Sequence, residues 1–362
     1  MSRAIAPPDT VSDSPDSTLV MYMSFVSFLH RVMARENLSA ADAEEAMLIV
    51  LEGEATSAQI AAFLAALKMK GETADEIYGF ARAMRAKVLR VDPQLENQLL
   101  IDTCGTGGDG LSTFNISTVA AFVVAGAGVH VAKHGNRSIT SHCGSGDVLE
   151  ALGININLTP EQMAYCIREC GIGFLFAPLL HPAMKHAQTA RLELKTRTAF
   201  NLLGPLTNPA GAQAQLIGAP SADSAGLMAL ALGRLGMLHA FVVHGKDGLD
   251  EITTTAATLM YEVKGSTVTR KEVHPQDFGV HLAKPEDLKG DNLQHNCDIA
   301  RSVLGGAPGP QRDIVLVNAS AALVAAGKAA NFLEGMQLAA ESIDSEAAAR
   351  KLAKLAHASN VF

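Results

Sequence analysis

The sequence has no apolar run long enough for a membrane-spanning helix, which needs about 18 to 20 consecutive apolar residues. A membrane-spanning protein is therefore excluded. A secretory signal is also absent, because residues 1–20 are rich in Pro, Ser, Asp and Thr and carry neither a cationic head nor an apolar stretch. We expect residues 1–21 to form a disordered leader on a cytoplasmic protein.

Cysteine is scarce, and an excess of positive charge is absent. The cysteines are odd in number and never spaced Cys-x-x-Cys, which argues against a disulfide framework and a zinc ribbon. They are Cys104, Cys143, Cys166, Cys170 and Cys297. The formal net charge of -8 at pH 7 gives no large surface that would attract nucleic acid or an anionic membrane. Positive contacts with an anionic ligand must then be local.

The composition is that of a globular protein, with 48% hydrophobic and 18% charged residues. At about 150 residues per domain, the 362 residues suggest about two domains. Over residues 22–90 the apolar residues recur at helical spacing, which predicts four helices. Ser39 with Asp42, and Thr73 with Glu76, resemble capping boxes at helix starts.

A different pattern begins near residue 96, where short apolar runs alternate with Ala-rich helical stretches. This alternation predicts an α/β domain with a mostly parallel central sheet. The runs expected to form strands are 99–101, 129–131, 215–217, 241–243 and 314–317. Around Gly265, residues 259–263 and 267–273 predict an appended antiparallel hairpin.

A glycine-rich loop follows the first predicted strand. Residues 102–110 read DTCGTGGDG and precede a helix predicted to start near Asn115. Glycines let backbone amides approach an anion, so phosphate is the expected ligand. The loop satisfies G-x-G-x-x-G, but residues 111–146 contain no Asp or Glu, whereas a dinucleotide-binding fold places an acidic ribose ligand about 20 residues on. A Walker loop is excluded because no Gly-Lys-Ser/Thr follows the glycines.

Small polar and cationic residues follow this loop. Asn115, Ser117 and Thr118 fall in the first turn of the predicted helix, where they can bind phosphate or a metal-bound water. Their alternative role is simple N-capping. Residues 133–138 read KHGNRS and concentrate cations and hydrogen-bond donors where the second strand ends.

Two adjacent carboxylates, Asp250 and Glu251, follow the predicted strand 241–243 and a glycine-containing turn. Paired carboxylates on a loop suit Mg²⁺, which prefers oxygen ligands and bridges to substrate phosphate. Because ligands gather beyond the carboxyl ends of parallel strands, these loops are expected to meet at one edge of the sheet.

Together these motifs resemble those of the anthranilate phosphoribosyltransferase family. The resemblance covers roughly residues 22–362, and 133–137 and 201–209 are its most specific parts. Besides the glycine loop it rests on NIST at 115–118, KHGNR at 133–137, GSGDVLE at 144–150, HPAMK at 181–185 and NLLGPLTNP at 201–209.

The resemblance implies transfer of the phosphoribosyl group from phosphoribosyl pyrophosphate to the amine of anthranilate, with Mg²⁺ and release of pyrophosphate, in tryptophan biosynthesis. It also implies a homodimer that associates through the helical domain. The expected fold is a small N-terminal helical domain, residues 22–95, joined by helices from about 180–203. A larger α/β domain, residues 96–362, would resemble that of nucleoside phosphorylases.

The family's functional residues can be carried over position by position. The resemblance implies that phosphoribosyl pyrophosphate is held by Gly105, Gly108, Asp109, Thr113, Asn115, Ser117, Thr118, Lys133 and Ser145. It implies that magnesium is held, directly or through water, by Ser117, Asp250 and Glu251. The implied anthranilate side consists of Gly105, Asn136 and Arg191, with His134 at the entrance. Arg191 would grip the anthranilate carboxylate bidentately, and no residue is assigned as a general acid or base.

Three features depart from the family pattern. His142 and Cys143 stand where a lysine or small polar residues are expected, and Gly146 replaces the usual alanine or serine. The leader before Tyr22 has no counterpart. The first two departures bear on phosphate affinity rather than on the reaction.

Two other functions stay open. A pyrimidine-nucleoside phosphorylase has a similar fold and also cleaves a ribosyl C1 bond, but its expected loop differs from residues 133–137. A nucleic-acid-binding relative of this fold is opposed by the net charge of -8 and by the Asp250–Glu251 pair.

Single residues also have plainer interpretations. Arg191 lies near Glu193 on a predicted helix and can form a surface ion pair with it. His181 and His186 are five residues apart, a poor spacing for zinc, and can cap or pack a helix instead.

Overall fold

The computed structural model describes residues 24–96, 98–107, 111–138 and 143–362. The predicted leader, Gly108, Asp109 and His142 lie outside the described residues. No helix in the described part of the chain is long and apolar enough to cross a membrane.

The N-terminal part is a bundle of four helices, as the apolar spacing predicts. Both predicted capping boxes are present, because Ser39 and Thr73 each accept a hydrogen bond from the backbone of the acidic residue three positions later. Phe63 packs between Phe25 and Phe80 in the bundle core, with ring centroids 5.2 and 6.2 Å away. The helices are α1 Phe25–Met33, α2 Ala40–Glu52, α3 Ser57–Lys70 and α4 Ala74–Lys87.

The rest of the chain builds a seven-stranded sheet in the order β3-β2-β1-β4-β5-β6-β7. Strands β1 to β5 are parallel, and β6 and β7 form the antiparallel hairpin predicted around Gly265. The strands are β1 Leu100–Gly105, β2 His130–Gly135, β3 Ile172–Phe176, β4 Ala214–Gly218, β5 His239–Gly245, β6 Thr258–Lys264 and β7 Thr267–Val273. The predicted fold class is confirmed.

Helices cover both faces of this sheet, so alternate strand residues point into different cores. Leu216 and Phe241 pack towards α5 and α13, whereas Ile217 and Val242 pack on the side of α4, α9 and α11. The helices are α5 Ile116–Gly126, α6 Ser145–Ala151, α7 Pro160–Cys170, α8 Ala177–Leu180, α9 Lys185–Leu194, α10 Phe200–Leu203, α11 Ala222–Arg234, α12 Leu293–Leu304, α13 Pro310–Ala325, α14 Phe332–Asp344 and α15 Ala347–Ala358. Helices α9 and α10 share the apolar core of the N-terminal bundle through Ala187, Ala190 and Leu203.

One predicted strand is wrong and one strand was missed. Residues 314–317 lie inside helix α13, and all four side chains are buried because the helix is covered on every side. A helix buried all round reads as a continuous apolar run, which periodicity cannot distinguish from a buried strand. Strand β3 was missed because Gly171 alone separates it from α7 and Gly173 interrupts its apolar run. A β-carbon at Gly173 would lie 2.6 Å from Ile167 Cγ1, so glycine allows the helix to pack closely on this strand.

Candidate active site

The predicted site loops meet at one edge of the sheet. Gly105 at the end of β1 is in register with Gly218 of β4, and Gly218 is in register with Val243 of β5. The parallel strands therefore end at one level, and the glycine loop, the end of β2 and the Asp250–Glu251 loop converge there.

The described residues of the glycine loop lie close to Asp250. The Gly107 N–H donates to Asp250 Oδ2 at 2.8 Å, and the Thr106 N–H donates to the Gly218 carbonyl at 3.0 Å. A β-carbon at Gly105 would lie 2.7 Å from Asp250 Oδ2, and one at Gly218 would collide with the Asp250 carbonyl oxygen. These glycines make room for the acidic residue, a reason that the loop sequence alone did not reveal.

The acidic pair is buried, with Asp250 9% and Glu251 7% exposed. Glu251 Oε1 accepts a hydrogen bond from the Ser117 N–H at 3.1 Å, so both carboxylates are bonded to loops predicted to hold phosphate. Burial, followed by the negative charge of Asp250, raises the pKa of Glu251 to about 8. A cation at this position would relieve that cost.

The donor set fits Mg²⁺ in part. Across residues 24–96, 98–107, 111–138 and 143–362, no three His, Cys, Asp or Glu side chains group in a way that could hold a metal ion. Two carboxylates and the Ser117 hydroxyl suit a hard cation that takes its other oxygens from water and substrate phosphate.

Lys133 is the positive charge beside this acidic pair. It is only 3% exposed, and its Nζ donates to the Thr103 carbonyl at 2.5 Å and to Ser117 Oγ at 3.4 Å. Burial lowers the pKa of Lys133, and the negative charges of Asp102 and Glu251 oppose that shift. These contacts place Lys133 between strand β1 and the first turn of α5.

A buried carboxylate, Asp102, organises the strand end next to Lys133. It accepts hydrogen bonds from the His134 N–H at 3.1 Å and from Asn208 Nδ2 at 2.8 Å. Asn208 Nδ2 also donates to the Ala132 carbonyl at 2.9 Å. Burial raises the pKa of Asp102 to about 6, although these contacts oppose the rise. Asn208, in the motif at 201–209, thus links strands β1 and β2 near the ends that carry the site loops.

Asn115 precedes α5, but its side chain does not cap the helix. Its Nδ2 donates to the Cys143 carbonyl at 3.2 Å, and its Oδ1 accepts from Asn296 Nδ2 at 3.3 Å. The sequence analysis did not identify Asn296 on α12 as a site residue. The one feature that could have indicated it is that this polar residue lies on the apolar face of an amphipathic helix. Thr118 Oγ1 is buried and has no hydrogen-bond partner among the residues that the structure describes.

The start of α6 is tied to the end of β2. Ser145 Oγ and the Gly146 N–H both donate to the Asn136 carbonyl, at 3.2 and 3.0 Å. A β-carbon at Gly146 would meet its neighbours at 3.5 Å, which is ordinary contact, so an alanine would fit at this position. Thr113 lies in an isolated antiparallel bridge to Lys289.

Two histidines lie together on the side facing the bundle helices. His134 Nδ1 is 3.1 Å from the Gly204 carbonyl, and His134 Nε2 is 3.3 Å from His181 Nε2. Burial lowers the pKa of His134 to about 3 and that of His181 to about 4, so both rings are neutral at neutral pH. The structure thus brings His181, expected only to cap or pack a helix, against a predicted anthranilate-side residue.

Arg191 is half-buried on α9, with its guanidinium 5.2 Å from the centre of the Phe200 ring. Burial lowers its pKa. The surface ion pair with Glu193 is wrong, because Arg191 forms no ion pair or hydrogen bond with any described residue. No hydrogen bond joins Arg191 to His134 or Asn136 either, so the anthranilate-side residues are not linked to one another directly.

Comparison with known proteins shows to which family the chain belongs. Residues 26–88 match the model of a glycosyl transferase family, helical bundle domain, and residues 97–349 match that of a glycosyl transferase family, a/b domain. A relative from Solibacter usitatus named anthranilate phosphoribosyltransferase is 66% identical over 92% of this chain and 98% of its own. The chain belongs to the anthranilate phosphoribosyltransferase family.

Solved structures of the family agree. An anthranilate phosphoribosyltransferase from Thermus thermophilus has a TM-score of 0.87 and 40% identity, covering 92% of this chain and 99% of its own. The enzyme from Saccharomyces cerevisiae, solved in complex with phosphoribosyl pyrophosphate and Mg, has a TM-score of 0.85 and 27% identity, covering 93% and 98%. The resemblance inferred from the motifs is confirmed.

Proposed function

We propose that the chain transfers the 5-phosphoribosyl group from phosphoribosyl pyrophosphate to the amine of anthranilate and releases pyrophosphate, a reaction of tryptophan biosynthesis. The observation that carries the proposal is the buried pair Asp250–Glu251, which is hydrogen-bonded to both segments predicted to bind phosphate. Asp250 accepts from the Gly107 N–H, and Glu251 accepts from the Ser117 N–H. The family names of the relatives support the identity of both substrates.

The phosphate side would be formed by the glycine loop, the first turn of α5, Lys133 and Ser145. Ser117, Asp250 and Glu251 would hold Mg²⁺, which, when bound, acts as a Lewis acid on the pyrophosphate leaving group. The Lys133 ammonium adds fixed positive charge close to Ser117. Of the other assigned residues, Gly108 and Asp109 lie outside the described residues, Gly105 belongs to the glycine loop, Thr113 and Asn115 lie between this loop and α5, and Thr118 lies in the first turn of α5.

The anthranilate side would combine a cation for the carboxylate with neutral imidazole rings at its entrance. Arg191 is a half-buried guanidinium with no ion-pair partner among the described residues, and a bidentate carboxylate would supply one. His134 and His181 are neutral, so neither adds a positive charge to the anthranilate side. A positive charge there would oppose the cation-like ribosyl C1 that develops as pyrophosphate leaves. The amine loses its proton as the new bond forms, and no strong general base is required.

We propose the domain division predicted from the sequence, with the bundle extended by helices from about 180–203. The apolar contacts of α9 and α10 with the bundle support it. We also propose a cytoplasmic location, which is supported by the five cysteines being free.

A homodimer through the helical domain is proposed on its exposed apolar side chains. Met33 on α1, Met69 on α3 and Leu192 on α9 are 62%, 77% and 57% exposed, on helices that pack against one another. Exposed apolar side chains on neighbouring helices are candidates for an interaction surface. Light scattering on the purified protein should give the mass of two chains, and Met33→Glu with Met69→Glu should shift it towards one, whereas the control Leu333→Glu on α14 should not. A single-chain mass for the unmodified protein would refute the dimer.

The reaction is tested by the fluorescence of anthranilate. We expect the fluorescence to fall when purified protein, anthranilate, phosphoribosyl pyrophosphate and Mg²⁺ are combined, and to persist when any one is omitted. The Asp250→Asn, Glu251→Gln double variant serves as the matched control for a contaminating enzyme. Persistent fluorescence in the complete mixture, with phosphate-dependent cleavage of a pyrimidine nucleoside instead, would replace the proposal with the phosphorylase.

A further inference from the structure

An arginine that no motif pointed to contacts the glycine loop from outside the sheet. Arg197 lies between α9 and α10, and its Nη2 donates to the carbonyl oxygen of Gly107. The same Gly107 donates its N–H to Asp250 Oδ2 at 2.8 Å. Both backbone polar groups of this residue are therefore held, one by an acidic site residue and the other by Arg197.

External contacts matter at Gly107 because its backbone is intrinsically free. Its φ of +66° lies in the left-handed region, and a β-carbon there would meet nothing within 4 Å, so neither conformation nor packing of a side chain confines it. Ordering a flexible loop when a ligand binds costs free energy, whereas a loop ordered beforehand binds more tightly. The contacts on either side of Gly107 supply that order.

The segment that carries Arg197 is itself anchored to the N-terminal bundle. Lys68 on α3 donates through Nζ to Thr196 Oγ1 at 2.6 Å and to the Arg197 carbonyl at 2.9 Å. The Thr198 N–H donates to Asn201 Oδ1 at 2.9 Å, which fixes the other end of the segment at the start of α10. A continuous set of polar contacts thus runs from α3 through Arg197 and Gly107 to Asp250.

We propose that Arg197 is a positioning residue that holds the backbone of Gly107, and through it the carboxylate of Asp250, in the arrangement that binds phosphoribosyl pyrophosphate with magnesium. The inference rests on the proposed function for the identity of the ligand. It separates the duties of two arginines only six positions apart: Arg191 serves the anthranilate carboxylate, and Arg197 serves the phosphate loop without contacting the aromatic substrate.

The test compares four variants in two measurements. Arg197→Met removes the donor and keeps the length of the side chain, Arg197→Lys keeps one charged donor, and Lys68→Met removes the anchor. Lys87→Met is the matched control, since Lys87 is a bundle lysine whose ion pair with Glu52 does not touch the segment. Calorimetry measures binding of phosphoribosyl pyrophosphate with Mg²⁺ in the absence of anthranilate, and steady-state kinetics measures the KM of each substrate.

We expect Arg197→Met to lower the affinity for phosphoribosyl pyrophosphate roughly tenfold or more. This corresponds to the loss of a charge-assisted hydrogen bond of about 1.4 kcal/mol or above. The Mg²⁺ requirement should rise with it, because Asp250 is bonded to the same residue, and the anthranilate KM should stay unchanged. Arg197→Lys should recover part of the affinity, Lys68→Met should show a smaller loss, and Lys87→Met none.

Unchanged affinity for phosphoribosyl pyrophosphate in folded Arg197→Met protein would overturn the proposal, as would an equal rise in the anthranilate KM. If Arg197→Met does not fold, Arg197→Lys and Lys68→Met decide the matter by the same split between substrates. Because calorimetry requires no turnover, an unmodified protein that binds phosphoribosyl pyrophosphate but does not consume anthranilate would refute the proposed function while leaving the role of Arg197 to be judged from the variants.

Discussion

Replacing Arg191 by alanine is expected to raise the KM for anthranilate and leave that for phosphoribosyl pyrophosphate nearly unchanged. The guanidinium stacks 5.2 Å above the Phe200 ring and is half-buried, with a pKa lowered by burial. It has no ion-pair partner among the described residues, so its charge is available to a substrate carboxylate.

The magnitude follows from the kind of contact that is lost. A charge-assisted hydrogen-bonded pair in a partly dry site is worth about 1.5 to 3 kcal/mol, which corresponds to roughly a tenfold to over a hundredfold change in affinity. The contact with Phe200 contributes about 0.5 to 1 kcal/mol to the folded protein. Removing a desolvated charge offsets part of that loss, so the fold should survive.

The assay is a separate titration of each substrate by anthranilate fluorescence, with Arg191→Lys and Arg82→Ala measured in parallel. Lysine keeps the charge but lacks the planar fork, so it should restore only part of the affinity. Arg82 also lies over an aromatic ring, that of Tyr78, but is exposed and paired with Glu44, so its removal should change neither KM. An unchanged anthranilate KM in Arg191→Ala, or an equal rise in the KM values of both substrates, would refute the assignment.

Four further outcomes are expected. The Asp250→Asn, Glu251→Gln protein should fold but turn over far more slowly at ordinary Mg²⁺, which a magnesium titration of the rate checks; an unaltered metal dependence would remove the pair from the site. Cys143→Ser should keep kcat within about tenfold of the unmodified enzyme, because burial raises the pKa of this thiol to about 11 and it does not act as a nucleophile. A fall in kcat of more than about a hundredfold in folded protein would contradict this. Gly146→Ala should leave both KM values unchanged and the melting temperature equal or higher, since its β-carbon fits at 3.5 Å; a raised KM for phosphoribosyl pyrophosphate would show that the glycine is needed. Burial lowers the pKa of His181 to about 4, so below about pH 6.5 the unfolded chain binds a proton on this ring and the folded chain does not, and the free energy of unfolding should fall between pH 6.5 and 4. Denaturant titrations at pH 7 and 5 should show a smaller fall in this free energy for His181→Gln than for the unmodified protein. An equal fall would refute the linkage.

Local signals predicted much of the fold. The capping boxes at Ser39 and Thr73 form because their hydrogen bonds join residues three positions apart, which a sequence displays directly. The hairpin around Gly265 is predictable for the same reason. Residues 314–317 mark the limit of such reasoning, since the same apolar run suits a buried helix and a buried strand, and only its neighbours in space distinguish the two.

For the candidate site, the sequence by itself predicted which loops would come together: the glycine loop, the cations after β2 and the pair Asp250–Glu251, because polar residues that follow parallel strands meet at one edge of the sheet. The sequence did not determine which of these residues contact one another. Glu251 reaches the Ser117 amide and Asn208 reaches Asp102 across separations of 134 and 106 residues, which no local pattern encodes. Such contacts depend on the order in which parallel strands are laid side by side, and that order is decided by packing of the whole sheet between its two helical layers. The tertiary structure alone therefore placed Asn296, His181 and Arg197 beside the loops and gave the glycines at 105 and 218 their second purpose, space for Asp250.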